Sequence, residues 1–449
     1  MTRKLALVIV LGCTAFGLAA CGSEGAPKSN SSEPPPVQHE EGVVTVQVVT
    51  ASGEPIPQVW VGIGGNFEYR DATTSAEGRV RFDGVRAGDV GVDVGGLGFH
   101  WARRSIVVEA DQTTDLTVAI IRTVEATPIV LAAHASPSVD GQSVTVDADL
   151  AVLGEDGQAI PTLTAADFRV SGSDCGFGMC VMDASGAPVT HGSYRASIDA
   201  DAFSWHEAPL PTSAGSATAL LLEQSIVISD YDPRGLRAAS VHPFLDSVTA
   251  PDTVAVASYH GTPQSPIFST YGTFTSDGAL FHDAVDALAY LGGSLNPMYA
   301  GLADMLSWTA LQPTGTNPKS VVLVSGRSSW PDSACTEYWT CPHVERVSVA
   351  DSSRALGIPI IAIGGYDPAA DIAARSGGLF IAVEDPEQYS VVLGNLKPIV
   401  SRQLGFNRLR FVLTGSAQVF ASGHTVWAQA QVRVATDSWL VIPVVVLIP

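Results

Sequence analysis

Basic residues are scarce in this chain: 24 Lys and Arg stand against 45 Asp and Glu among 449 residues, a net charge of −21. A surface of that sign repels phosphate backbones and anionic lipid headgroups, so nucleic acid is not an expected partner. Charge of either sign is thin at 15%, whereas 46% of residues are hydrophobic, which leaves ample material for cores. Long apolar runs are missing beyond the N-terminus; none there reaches the roughly 18 residues a bilayer-spanning helix needs. The ten His are scattered, with no His-Glu-x-x-His pair and no Gly-x-Ser-x-Gly elbow. Gly62-Ile63-Gly64-Gly65 and Gly95-Gly96-Leu97-Gly98 lack the helix and Lys that would make a phosphate loop, and read as turns. No catalytic residue is assigned on this pattern, and the chain is not expected to be an enzyme. What is plentiful is Gly, at 43, and Pro, at 28, the marks of many turns and short strands. The length accommodates about three domains.

Cysteine is also rare. Two of the six, Cys13 and Cys21, lie in a leader, Met1–Cys21, with Arg3 and Lys4 ahead of the apolar stretch Leu5–Leu18. That arrangement is an export signal rather than a structural helix. Its end, Leu18-Ala19-Ala20-Cys21, resembles the lipobox of bacterial lipoproteins. The resemblance implies cleavage before Cys21 and a diacylglyceryl group on its sulfur, making the membrane a partner. Ordinary signal cleavage, with Cys21 incidental, is the alternative. Gly22-Ser23 follow with no Asp next to the Cys, which in a cell with two membranes resembles an outer-membrane or surface address. Residues 22–41 are Ser- and Pro-rich without apolar period, a disordered tether. The other cysteines form two close pairs, Cys175/Cys180 and Cys335/Cys341. In an exported chain these read as two local disulfides. The rival is a metal site, with only His343 as a neighbouring imidazole and no Cys-x-x-Cys spacing.

Residues 42–122 read as an antiparallel β-sandwich: Val44, Val46 and Val48 alternate with polar residues, and short apolar runs recur at Val59–Ile63, Val80–Phe82, Val90–Val94, Val107-Val108 and Leu116–Ile120. Ala51–Pro57, Thr74–Phe82 and Gly84–Gly88 resemble the carboxypeptidase regulatory-like (transthyretin-like) domain, which implies a structural or binding module without catalytic residues. Phe99-His100-Trp101 is expected to pack as core aromatics rather than to form an exposed contact. Residues 124–211 form a second β domain, with the long alternation Val144–Val152. Its stretch Gly154–Val170 resembles the small β module that often precedes a von Willebrand A-type domain. Over residues 217–403, strands (Ala217–Leu222, Asp252–Tyr259, Ser320–Ser325, Ile358–Ile363, Leu379–Val383) alternate with helical periods, the pattern of a doubly wound α/β sheet. Residues 406–449 return to strands, expected to complete the second β domain. The fold class is therefore multidomain: N-terminal β-sandwich domains, a doubly wound α/β domain, then C-terminal strands.

The order of the α/β segment resembles a von Willebrand factor A-type domain. That family carries a metal-ion-dependent adhesion site at the carboxyl edge of the sheet, built from Asp-x-Ser-x-Ser, a Thr after paired Gly, and a third-loop Asp. Oxygen ligands with one vacant position suit a hard cation and a partner's carboxylate. Here Glu223 stands for the first Asp and Ser225 for the first Ser, while Val227 replaces the second Ser. Ser294 takes the Thr place and Ser325 that of the third acid. One carboxylate remains, so no cofactor is expected; Mg2+ or another divalent cation, with Asp230 or Asp232 moving inward, is the alternative. Those acids otherwise start the next helix or solvate a loop. Trp330, Tyr338 and Trp339 lie on the insert Arg327–Pro342 beside this edge, either as a protein-binding surface or packed onto their own domain. The leading expectation is a lipid-anchored cell-envelope protein on a stalk, binding a protein of unknown identity. A structural subunit of an envelope assembly, and a hydrolase with an unrecognised Ser, are the other two readings.

Overall fold

A computed structural model describes residues 40–65, 68–96, 98–171, 181–189, 193–209, 215–225, 232, 234–262, 265–288, 297–326, 343–365, 367–383, 385–435 and 438–449. Alternation decides the first domain. In β1 (Glu41–Val49) Val44, Val46 and Val48 are fully buried while their neighbours are not. Six further strands follow: β2 (Trp60–Gly65), β3 (Glu68–Thr73), β4 (Arg79–Arg86), β5 (Gly88–Gly96), β6 (Phe99–Val108) and β7 (Thr113–Ala119). They form two sheets, ordered β4-β1-β7 and β3-β2-β5-β6. One apolar core, including Val46, Val61, Phe82, Val92 and Val118, lies between them. β3 was not legible as a strand, because its sequence EYRDAT presents polar residues on the outward face.

The second β region is assembled from distant parts of the chain. β8 (Thr127–Pro137), β9 (Ser143–Leu153), β10 (Phe168–Ser171), β11 (Val181–Met182) and β12 (Tyr194–His206) come first. The α/β sheet then intervenes, with β13 (Ala217–Glu223), β14 (Thr253–Thr262), β15 (Ser265–Thr270), β16 (Lys319–Val324), β17 (Ile360–Gly364) and β18 (Leu379–Ala382). β19 (Phe406–Gly415), β20 (Thr425–Ala435) and β21 (Ser438–Leu447) close the chain. β19 enters between β12 and β9, with Phe411 opposite both Ile198 and Val146. β20 pairs with β10, β11 and β21. The two sheets share a core that includes Val146, Leu150, Phe411, Val432 and Ile442.

The α/β sheet has the order β15-β14-β13-β16-β17-β18. All its pairings are parallel except β14 with β15. Successive residues of β13 point to opposite cores: Leu220 and Leu222 toward one that includes Phe244, Tyr389 and Leu396, Ala219 and Leu221 toward one that includes Leu302, Met305 and Ala370. Helices thus cover both faces, which is why this strand is apolar throughout. β15 was missed in the sequence because Pro266 breaks its pattern; Pro is tolerated there since the strand lies at the sheet edge. Leu280, Phe281, Ala284, Val285 and Leu288 keep a helical period, yet a 3-10 turn at Gly278–Phe281 runs into a helix of only His282–Asp286, and Leu280 is exposed. The last helical period is two pieces, Gln388–Gly394 and Leu396–Val400, interrupted at Asn395. No described helix is long and apolar enough to cross a membrane.

The α/β sheet does not sit at the tip of a linear stalk, as the element order had suggested. Ile129, Leu131, Ala151 and Leu153 of the second β region share one core with Ile381, Leu396 and Ile399. A buried ionic cluster adds to the contact. The fully buried Asp371, on the helix Asp367–Ser376, accepts from Arg375 Nε at 3.0 Å on both oxygens and pairs with Arg346 Nε at 2.9 Å. Thr425 Oγ1 donates to the same carboxylate. The guanidinium groups continue across the boundary, Arg375 to the carbonyls of Asp183 and Gly423 and Arg346 to that of Gly186.

Candidate functional site

Parallel strands deliver their C-terminal residues to one edge, where open α/β sheets place their ligand sites. Glu223 ends β13, buried together with Ser225. Both carboxylate oxygens are engaged within the chain. Ser225 Oγ donates to Oε1, and the backbone N–H of Gly326, just beyond β16, donates to Oε2 at 2.9 Å. Glu223 therefore ties together the ends of two adjacent strands. Burial pushes its carboxyl above the usual carboxylate range, while Ser225, the Gly326 amide and the Arg237 guanidinium act against that rise.

Ser325 is buried beside it. Its carbonyl accepts from the Tyr389 hydroxyl, and among the described residues its own Oγ has no hydrogen-bond partner. A Cβ at Gly364 would stand 2.6 Å from that Oγ, so the ends of β16 and β17 approach closely because residue 364 is glycine. Asp232 accepts from the backbone N–H groups of Leu236 and Arg237, both at 2.8 Å. It thereby holds the first two amides of the short helix Leu236–Ala239, whose N-cap residue is Gly235, and so takes one of the two alternatives to metal binding read for it. Arg237 was not singled out in the sequence. The residue is 3% exposed, and among the described residues its Nε and Nη1 have no hydrogen-bond partner. Only its position on the short helix that follows β13 could have flagged it.

Ser294 and Asp230 lie outside the described residues, as do Trp330, Tyr338, Trp339, Cys335 and Cys341, the pair Cys175 and Cys180, and Cys21. Among the described residues, no group of three or more His, Cys, Asp or Glu is placed to hold a metal ion. The donors that are described at the edge fit a divalent cation poorly. The Glu223 carboxylate already accepts two hydrogen bonds, and Arg237 adds positive charge nearby. A hard cation binds through free carboxylate oxygens and tolerates little geometric error.

The first β domain reaches the same edge of the sheet. Past β18, Asp385 Oδ2 accepts from the Gly98 backbone N–H at 2.6 Å. Glu387 pairs with Arg234 at 3.0 Å and with Arg122 at 3.6 Å. In Phe99-His100-Trp101 the outcome is split: His100 is buried with Nε2 on the Ala126 carbonyl at 2.8 Å, whereas Trp101 is 53% exposed. Strand alternation explains the difference, since neighbours on β6 face opposite sides. The expected core pair is corrected at Trp101.

Residues 43–120 match the family model of the carboxypeptidase regulatory-like domain. The β-sandwich described above is thus a domain of that family type. No curated protein matches the chain. Among solved structures, the conserved hypothetical protein BatB from Bacteroides thetaiotaomicron is similar at 12% identity, covering 42% of this chain and 100% of its own, with a TM-score of 0.31. Proximal thread matrix protein 1 from the mussel byssus is similar at 14% identity over 43% of this chain and 48% of its own, with a TM-score of 0.33. The pilus adhesin SpaC from Lactobacillus rhamnosus GG is similar at 10% identity over 71% of this chain and 48% of its own, with a TM-score of 0.32. The chain spans about half the length of the mussel and pilus proteins.

Proposed function

We propose that the chain is a non-enzymatic lipoprotein of the cell envelope, anchored through Cys21, that presents a von Willebrand A-like domain for protein binding without a working metal site. The observation that carries this reading is the state of Glu223. It occupies the end of the central strand β13, where the fold would place a ligand-bearing acid, yet its carboxylate staples two strands together. The strand order and the helices on both faces support the doubly wound, A-type reading of the domain. The leader and lipobox-like end support the anchor. An anchored chain in a cell with two membranes would stand at the outer membrane or the surface.

The test follows thermal unfolding of the purified chain in chelator and then in millimolar Mg2+, Ca2+ or Mn2+. A ligand bound only by the folded state raises the midpoint. The expected result is an unchanged midpoint. A rise that disappears in Glu223→Ala would restore a metal-dependent adhesion site and overturn the reading. Incorporation of labelled palmitate, lost in Cys21→Ala, tests the anchor. A second reading, a permanently packed structural subunit, is favoured by the contacts of Gly98 and Arg122 at Asp385 and Glu387. Arg122→Glu separates the two. Partner binding that survives it belongs to a free head; co-isolation of an envelope assembly that is lost with it belongs to the subunit.

A further inference from the structure

The outward face of the β3-β2-β5-β6 sheet is built differently from an ordinary solvated sheet. The strand register sets side chains on that face in rows across the strands. One row runs Asp71, Gly62, Asp93 and Arg103. The next places Trp60 between Thr73 and Gly95. A third row places Gly64 between Tyr69 and Gly91. Glycine on the two central strands leaves the floor flat, and aromatic rings lie over it. A Cβ at Gly62 would meet the Trp60 ring at 2.3 Å and the Tyr69 hydroxyl at 2.4 Å, and one at Gly95 would meet the Trp101 ring at 2.6 Å.

The rings form one group. Trp60 and Tyr69 lie 29° apart with centroids at 6.2 Å, and Trp101 stands edge-on to Trp60 at 5.3 Å. One side of each ring is held against the sheet, yet Tyr69 stays 58% and Trp101 53% exposed. Large aromatics normally seek burial, and here two are kept in water by a floor with no side chains to cover them. Polar groups adjoin the rings directly. Asp71 Oδ2 accepts from Trp60 Nε1 at 3.1 Å, and Arg103 Nε lies 3.4 Å from Asp93 Oδ1.

We propose that this face is a carbohydrate-binding site for an uncharged glycan chain, with sugar rings stacked on Trp60, Tyr69 and Trp101 and hydroxyls bonded by Asp71, Asp93 and Arg103. A sugar ring offers an apolar C–H face rimmed by hydroxyls that both donate and accept, and this surface alternates aromatic faces with carboxylate acceptors and a guanidinium donor in the same way. A purely apolar protein surface would bury the two carboxylates without enough donors, at a cost. A nucleic acid or an acidic polysaccharide would meet Asp71, Asp93 and a net charge of −21. The site needs neither the metal edge nor the A-like domain.

The test titrates the full chain with cellohexaose, maltohexaose and chitohexaose by calorimetry and tryptophan fluorescence. The expected result is saturable binding of at least one, with Kd between about 10 μM and 10 mM. Trp101→Ala and Tyr69→Ala, each at a largely exposed ring, should weaken it about tenfold with the unfolding midpoint unchanged. No binding of any of the three up to about 10 mM, or binding indifferent to both substitutions, overturns the proposal. So does saturable, Trp101-dependent binding of the peptide Ser31–His39 in place of every sugar, which would make the face a dock for proline-rich peptide.

Discussion

Asp371→Asn removes one charge and almost no volume, and it should be among the most damaging single changes in the molecule. The carboxylate is fully buried between Arg346 and Arg375, and Thr425 donates to it as well. Asparagine can accept on one side only; its amide would face a second N–H across the cluster, and two guanidinium charges would share no counter-ion. Removing one partner of a buried ion pair costs about 3–5 kcal/mol, because the remaining charge stays desolvated. Urea unfolding measures the loss directly. Hydrogen exchange over the helix Asp367–Ser376 and the turn Asp183–Ala187 should lose roughly two to four orders of magnitude of protection if opening at this boundary is cooperative. Apolar replacement of all three charged residues often restores stability in buried clusters of this kind. Here it should not, since the arginines also serve the carbonyls of Asp183, Gly186 and Gly423. An Asp371→Asn protein within about 1 kcal/mol of the parent would refute the role of this cluster.

Three further outcomes follow from the same structure. Arg410→Ala breaks a two-bonded pair with Asp147, but the arginine side chain is 44% exposed and screened by solvent, so the urea unfolding midpoint should barely move. Gly378→Ala would set a Cβ 1.8 Å from the Ile360 carbonyl oxygen and should cost about 3 kcal/mol or more, seen as a drop in unfolding midpoint. Glu223→Gln can keep both bonds, its carbonyl accepting from Gly326 and its amide donating to Ser225, whereas Glu223→Ala leaves both groups unmatched at about 1–3 kcal/mol. An acid whose carboxyl is raised by folding holds more protons folded than unfolded. Parent stability should therefore fall as pH climbs from the ordinary carboxylate range through the raised value, and the Gln protein should lack that slope; equal slopes would contradict the burial argument.

Much of the architecture was legible because burial leaves a period in the chain. β13 reads as a parallel strand since both of its faces are covered, and β1 and β9 read as alternations since one face is. What escaped was set by position rather than pattern. β3 and β12 carry acids and arginines on a solvated face, and β15 holds a proline that only an edge strand tolerates. Glu223 was found, but its engagement with Gly326 was not, since the partner lies 103 residues along the chain and meets it only when β13 and β16 pair. The aromatic face was hidden for the same reason. Trp60, Tyr69 and Trp101 are separated in sequence and become neighbours through strand register, while the glycines beneath them read as turns.

The topology also bears on what kind of object a partner would meet. β12 and β19 flank the α/β segment in sequence and pair with each other in space, so that segment is inserted into the second β region rather than appended to it. β19 is a central strand of one sheet and β20 of the other, which means neither sheet is complete until the chain has passed through the insertion. A central strand that arrives last gives folding a long-range closure. It also fixes both ends of the insertion to one body, and the Asp371 cluster holds the helix side of the head to the same body. The first β domain contributes Gly98 and Arg122 to the opposite, carboxyl side of the sheet. A ligand at that edge would therefore meet a head already braced on two sides, with Asp385 and Glu387 engaged by the first domain. On the first domain, Tyr69 and Trp101 of the aromatic face stay more than half exposed.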